Sequence, residues 1–234
     1  MLRTIVVLAF LAVMIPLDAL IGFPVAFITR RIDFLYRLAM GTTRAAARLA
    51  GVRVETVGLD RLNLSRNYIF MANHVSNADP PLLIPALPRR TSVLVKRELF
   101  RIPILGYAMR MARLVPIDRA NKEAAIASVR NAAGVIESGI DMTVFPEGTR
   151  SRDGRLLPFK KGPFYMAMET GVPIVPVTVL GTFEMLPKGR FGIRPGTATF
   201  IFHPPFDPAS FRDRDALIAA VRNQIASALP PDRQ

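Results

Sequence analysis

From Gly51 onward the chain alternates short apolar runs with amphipathic stretches, and this alternation restricts its fold more than any other feature. Runs at 68–72, 92–96, 113–117, 142–145, 173–180 and 197–202 have the length and apolar content of strands. Helical spacing fills intervals at 80–87, 103–112, 122–138, 161–170 and 213–229. Within these, Ile126, Val129, Ala133 and Ile136 share one face, as do Leu217, Val221, Ile225 and Leu229. Strands separated by helices pair into a mostly parallel sheet with helices on its faces, so the expected class is α/β. The change of pattern near residue 50 divides the chain into an N-terminal segment, 1–50, and one domain, 51–234.

That first segment is of another kind. Thr4 to Thr29 holds one charged residue, Asp18, and two prolines, Pro16 and Pro24. The unbroken run Thr4–Leu17 reaches about 21 Å as a helix, short of the ~30 Å hydrocarbon core. Either the whole segment spans with Asp18 inside, or it bends at a proline and re-enters. A single early arginine and the lack of a small-x-small cleavage site speak against a removable signal peptide. Arg30, Arg31, Arg37, Arg44 and Arg48 follow, which by the positive-inside rule puts the rest of the chain on the cytoplasmic face of the inner (plasma) membrane. Residues 33–50 set Phe34, Leu35, Leu38 and Ala39 against those arginines, the pattern of a helix lying in the interface; the plain alternative is a soluble amphipathic helix packed on the domain. The expected architecture is thus a mostly parallel α/β domain preceded by a membrane-embedded helical segment.

Charge narrows the partners. The 234 residues carry 31 basic and 18 acidic side chains, a net +13, and only five of the basic ones are lysine. Arginine's planar fork suits phosphate groups. Nucleic-acid binders share such charge, but this chain has no Trp, four Tyr and no aromatic-rich basic strand. With 50% hydrophobic residues, a lipid bilayer is the expected partner and nucleic acid is not. The absence of cysteine excludes disulfides, zinc–thiolate sites and a cysteine nucleophile, and two histidines leave little scope for a metal site.

The strand 68–72 runs into Asn73-His74-Val75-Ser76-Asn77-Ala78-Asp79-Pro80. Asp79-Pro80 reads as a capping aspartate followed by proline at the first helical position. His74 then sits in a loop at the carboxyl end of a strand, where α/β folds place their chemistry. If the loop folds back, the Asp79 carboxylate reaches an imidazole nitrogen, fixes its tautomer and makes His74 a general base. The plain alternative is a loop histidine beside a capping aspartate. Phe145-Pro146-Glu147-Gly148-Thr149-Arg150-Ser151 also follows a strand. There Gly148 permits a special backbone angle or close ligand approach, Arg150 offers a phosphate fork, and Glu147 can accept from a ligand hydroxyl or hold the arginine. Lys96 and Arg119 each follow a further strand and would add positive charge at the same edge.

Together these stretches resemble the 1-acyl-glycerol-3-phosphate acyltransferases of the wider glycerolipid acyltransferase family. His74 and Asp79 match its H-x4-D motif, and Phe145–Ser151 matches its F-P-E-G-T-R-S motif without a change. Lys96-Arg97-Glu98-Leu99, Lys160-Lys161-Gly162 and Val172–Val177 are similar to further blocks, so the likeness covers about residues 68–180. It departs at Arg113–Arg119, where Pro116 stands in the usual Phe position and no Gly precedes it; the family links this block to the acyl acceptor. The resemblance implies His74 and Asp79 as the catalytic pair, with Lys96, Arg119, Glu147, Gly148, Thr149 and Arg150 binding substrate. It implies no cofactor and no metal, only acyl-CoA or acyl carrier protein as donor and a lysophospholipid as acceptor. A thioester has a good leaving group, so no enzyme nucleophile is needed, and no G-x-S-x-G elbow is present. Two neighbouring readings keep much of this: an acyltransferase for another lysolipid such as lyso-ornithine lipid, and a non-catalytic phospholipid-binding protein. Lipid binding alone gives no role to a base such as His74.

Overall fold

The computed structural model describes residues 1–117 and 122–234, and side chains outside 118–126. Helices α1 (Leu2–Thr29) and α2 (Asp33–Leu49) precede strand β1 (Val52–Val57). Then follow β2 (Ile69–Ala72), α3 (Asp79–Ala86), β3 (Thr91–Lys96), α4 (Pro103–Met111), β4 (Val115–Ile117), α5 (Lys122–Glu137) and β5 (Asp141–Val144). The chain ends with α6 (Gly162–Thr170), β6 (Ile174–Leu180), α7 (Thr182–Met185), β7 (Gly196–Phe202) and α8 (Arg214–Ala226).

The seven strands form one sheet in the order β1-β7-β6-β2-β5-β3-β4. Every neighbouring pair is parallel except β6 with β7. The α/β expectation holds, with one antiparallel step. The sheet's middle is buried on both faces, and the strand period of two sorts its residues. Ile69 and Met71 of β2 join Met142, Phe164 and Leu217 on the side of α5, α6 and α8. Phe70 and Ala72 join Leu83, Val177 and Phe200 on the side of α2 and α3. Strand β1 was not among the expected strands. It is an edge strand in which only Val52 is buried, so Arg53 and Glu55 interrupt any apolar run.

Helix α1 runs unbroken through Pro16 and Pro24 and is long and apolar enough to cross a membrane. Only 22% of its most apolar window is buried, unlike a core helix. It nevertheless touches the rest of the chain along its length. Thr4 Oγ1 accepts from the Ile193 N–H at 3.0 Å, buried Asp18 accepts from Thr42 Oγ1 of α2 at 2.6 Å, and Phe23 packs on Tyr107 of α4 at 5.4 Å. Asp18 is thereby supplied with a donor in an otherwise apolar helix, which offsets the penalty of burying it.

At the sheet's opposite edge from the strand ends of interest, Arg89 ties the starts of β2, β3 and β5 together. Its Nη2 and Nε donate to the two oxygens of buried Asp141 at 2.7 and 3.2 Å, and further donors reach the carbonyls of Leu64 and Arg66. Asp141 Oδ1 also accepts the Tyr68 N–H at 3.0 Å. Arg89→Met strands that carboxylate. We expect thermal or chemical unfolding to show a loss of roughly 3 kcal/mol, the low end for a severed buried pair because Arg89 is itself partly exposed.

Candidate active site

Strand β2 ends at Ala72, and the side chain of Asn73 prolongs its pairing. Asn73 Oδ1 accepts the Val179 N–H at 2.7 Å and Nδ2 donates to the Val179 carbonyl at 3.1 Å. The backbone is released one residue later, at His74, while still anchored to β6.

The 74–79 segment folds back on itself. Asp79 Oδ2 lies 2.8 Å from His74 Nδ1 and accepts the N–H groups of Val75 and Ser76, both at 2.8 Å. This corrects the capping expectation: Ala78 is the N-cap of α3, and Asp79, its first residue, turns its carboxylate backwards onto the loop rather than forward onto the helix. A carboxylate acceptor on Nδ1 requires the proton there, which leaves the lone pair on Nε2. Nε2 has no hydrogen-bond partner among the described residues. Phe145 stacks on the imidazole, ring centroids 4.2 Å apart, and His74 is 8% exposed. The site therefore offers one imidazole nitrogen whose orientation is fixed from the other side of the ring.

The 145–151 loop is clamped to the 74–79 loop. Glu147 Oε1 accepts the His74 N–H at 2.6 Å and Oε2 accepts the Leu157 N–H at 3.1 Å, and the Ser151 N–H donates to the His74 carbonyl at 2.8 Å. Glu147 is buried and faces inward, so neither role expected for it, ligand hydroxyl acceptor or arginine holder, matches its position. Burial pushes its carboxyl up to about 7 against the pull of those two N–H donors, and the nearby Asp79 charge pushes the same way. Gly148 has φ +71°, and a Cβ there would press on the Lys160 side chain.

Thr149 is exposed and Arg150 half-buried on the outer part of the 145–151 loop. An Arg150 Nη1 donates to Asn77 Oδ1, three residues beyond His74. Lys188 Nζ donates to Thr149 Oγ1 at 3.3 Å and to the Arg150 carbonyl at 3.2 Å. Ser76 Oγ donates to the Leu186 carbonyl at 2.7 Å, which brings that distant turn to the site. Sequence reasoning passed over Asn77 and Lys188; the signal available for the latter was a lone lysine in the turn Leu186-Pro187-Lys188-Gly189.

Lys96 ends β3, on the same edge but two strands away from β2, about 10 Å at sheet spacing. It is exposed and pairs with Glu98 at 3.4 Å, so the structure does not bring it against the His74–Asp79 pair. Asp118 and Arg119 lie outside the described residues. His203, the other histidine, is on the α8 face, bonded to Thr178 and Gln224, and burial holds its pKa below the usual imidazole value.

Comparison with known proteins identifies the family and the fold. The family model described as Acyltransferase matches residues 53–180. The chain is 35% identical over 179 residues to a chloroplastic 1-acyl-sn-glycerol-3-phosphate acyltransferase of Brassica napus, covering 76% of this chain and 51% of that one. It is 31% identical over 184 residues to the 1-acyl-sn-glycerol-3-phosphate acyltransferase of Borreliella burgdorferi, covering 77% of this chain and 73% of that one. Against the plant relatives, the chain spans about half of their length. The crystal structure of the 1-acyl-sn-glycerophosphate (LPA) acyltransferase PlsC from Thermotoga maritima superposes with a TM-score of 0.81 at 28% identity, covering 97% of this chain and 94% of that one.

Glu147 generates a prediction with a definite sign. Its folded pKa of about 7 exceeds the ordinary 4.5, so the folded state holds more protons in that window, and stability falls as pH rises from about 4.5 to about 7. Glu147→Gln removes this contribution and turns an amide N–H toward one of the two backbone donors. Unfolding measured across that pH range should show a flatter profile, with the variant less stable than wild type by about 1–3 kcal/mol at the acid end and that deficit shrinking as pH rises toward 7.

Proposed function

The chain belongs to the acyltransferase family, and from that premise we propose that it transfers a fatty acyl group from an acyl thioester to the free sn-2 hydroxyl of 1-acyl-glycerol-3-phosphate, giving phosphatidic acid. The observation that carries this reading is His74, with Nδ1 tied to Asp79 and Nε2 left open, at the edge of a sheet whose fold matches a lysophosphatidate acyltransferase. An alcohol holds its proton at neutral pH, and the reaction needs a base more than it needs a nucleophilic side chain. Nε2 takes the hydroxyl proton as the oxygen attacks the thioester carbon; the C–O bond forms, the C–S bond breaks, and the proton passes from the imidazolium to the departing thiolate. Asp79 stabilises the imidazolium between those two steps. Base assistance of this kind contributes roughly 10²–10⁴ in rate, and holding two substrates together can contribute more.

Arg150 and Thr149, with Lys188 beside them, supply positive charge and donors for the acceptor's phosphate, while Arg119 is a further ligand by family likeness. The donor is acyl-CoA or acyl carrier protein, and no cofactor enters the reaction. A bilayer supplies the acceptor and receives the product. The outward side of α1, with Ile5, Leu8, Ile15, Leu20 and Phe27 exposed, is apolar enough to sit in it. Because α1 contacts the domain near both ends, lying in one leaflet fits the contacts better than crossing, with the domain on the cytoplasmic side.

The test is acyl transfer from labelled acyl-CoA to a panel of lysolipids. His74→Ala should lower turnover by roughly 10²–10⁴ while circular dichroism and membrane association stay unchanged. Asp79→Asn keeps an oxygen for the Val75 and Ser76 N–H groups, so it should fold yet turn over poorly through loss of the charge that stabilises the imidazolium. Wild-type rates in either folded variant would sink the mechanism. Arg150→Lys keeps charge but loses the fork, and kcat/KM for lysophosphatidate should fall roughly 10- to 150-fold. A wild-type preference for lyso-ornithine lipid, together with no effect of Arg150→Lys on lysophosphatidate, would reassign the acceptor.

A further inference from the structure

A groove whose lining includes neither His74 nor the 145–151 loop runs between the second half of α2, strand β1 and helix α3, with about 500 Å³ of space. Val52, Leu82 and Pro85 are among its apolar lining, Arg44, Arg48 and Arg53 stand around it, and no acidic residue lines it. Arg44 is pinned across the groove by donating to the Pro85 carbonyl at 2.5 Å. Arg48 and Arg53 are exposed and make no ion pair or hydrogen bond through their side chains with the described residues. A fourth guanidinium, that of Arg3 at the start of α1, lies against Gly51 at the groove's end. Around it, Leu49 is 45% and Val54 38% exposed, and the apolar outward side of α1 begins at the same place.

Two features of this groove belong together. Unpaired guanidiniums bind phosphate through paired N–H donors. An apolar floor and an apolar rim gain nothing from a soluble phosphate, and no aromatic side chain lines the groove to hold a base. An anion whose phosphate is joined to hydrocarbon uses both surfaces, and a bilayer presents such anions beside an embedded apolar helix. We propose that this groove binds the head group of an anionic phospholipid of the bilayer, as a site distinct from the catalytic cleft. Its occupant touches α3, whose first residue is Asp79, so the site adjoins the catalytic loop through a single helix.

The test is flotation of the purified full chain with phosphatidylcholine vesicles, with and without phosphatidylglycerol, and does not depend on acyl transfer. Wild type should prefer the anionic vesicles. Arg48→Gln/Arg53→Gln should lose about 30-fold in affinity for them while keeping its affinity for neutral ones and its turnover of a short-chain acceptor in detergent. Ala47→Glu, which adds a carboxylate to the lining, should remove the preference in the same way. Three outcomes each overturn the proposal: an undiminished preference in these variants; an equal loss in a control pair placed elsewhere, Arg130→Gln/Arg212→Gln, which would mean diffuse charge; or release of wild type from the vesicles by submillimolar inorganic phosphate or adenosine 3′,5′-bisphosphate, which would mean a soluble ligand.

Discussion

One carboxylate oxygen, Asp79 Oδ2, gathers three donors, and the rest of the site follows from it. The N–H groups of Val75 and Ser76 and the Nδ1 of His74 all converge on it at 2.8 Å. The two backbone bonds fix the loop's curvature, and the third fixes the ring that the loop carries. A buried acceptor of this kind is stable only while its donors stay in place, so the loop and the charge hold each other. The arrangement aligns the imidazole before any substrate arrives.

The second layer of support comes from seventy residues away in sequence. Glu147 and Ser151 grip the backbone of His74 from both sides, one accepting its N–H and the other donating to its carbonyl. Two buried carboxylates thus flank one histidine, and they divide the labour: Asp79 orients the ring and Glu147 holds the chain beneath it. The raised pKa of Glu147 is the energetic mark of that second task, since it is buried with only two neutral donors and no counter-charge bonded to it.

How much of this was legible in the sequence depends on the range of the interaction. The α/β class and six of the strands follow from apolar periodicity, which is local. Strand β1 does not, because an edge strand with Arg53 and Glu55 lacks the periodic burial that marks the others. The His74–Asp79 pair is within one short loop, and five-residue spacing makes it readable. The direction in which Asp79 points is not readable, since Asp-Pro at a helix start suits a cap equally well. Glu147 drew attention for its charge, but only the fold shows that both its oxygens turn inward. Asn77 and Lys188 meet Arg150 across long stretches of chain, and nothing local announces either contact.

The connection between α7 and β7 makes the apolar helix and the site parts of one mechanical train. At one end Ile193 hangs from Thr4 of α1; at the other, Leu186 holds Ser76 and Lys188 holds Thr149 and Arg150. Only a handful of residues separates these attachments. The connection therefore ties the seat of α1 to the geometry at Arg150 within one short segment, so a shift of either is felt by the other.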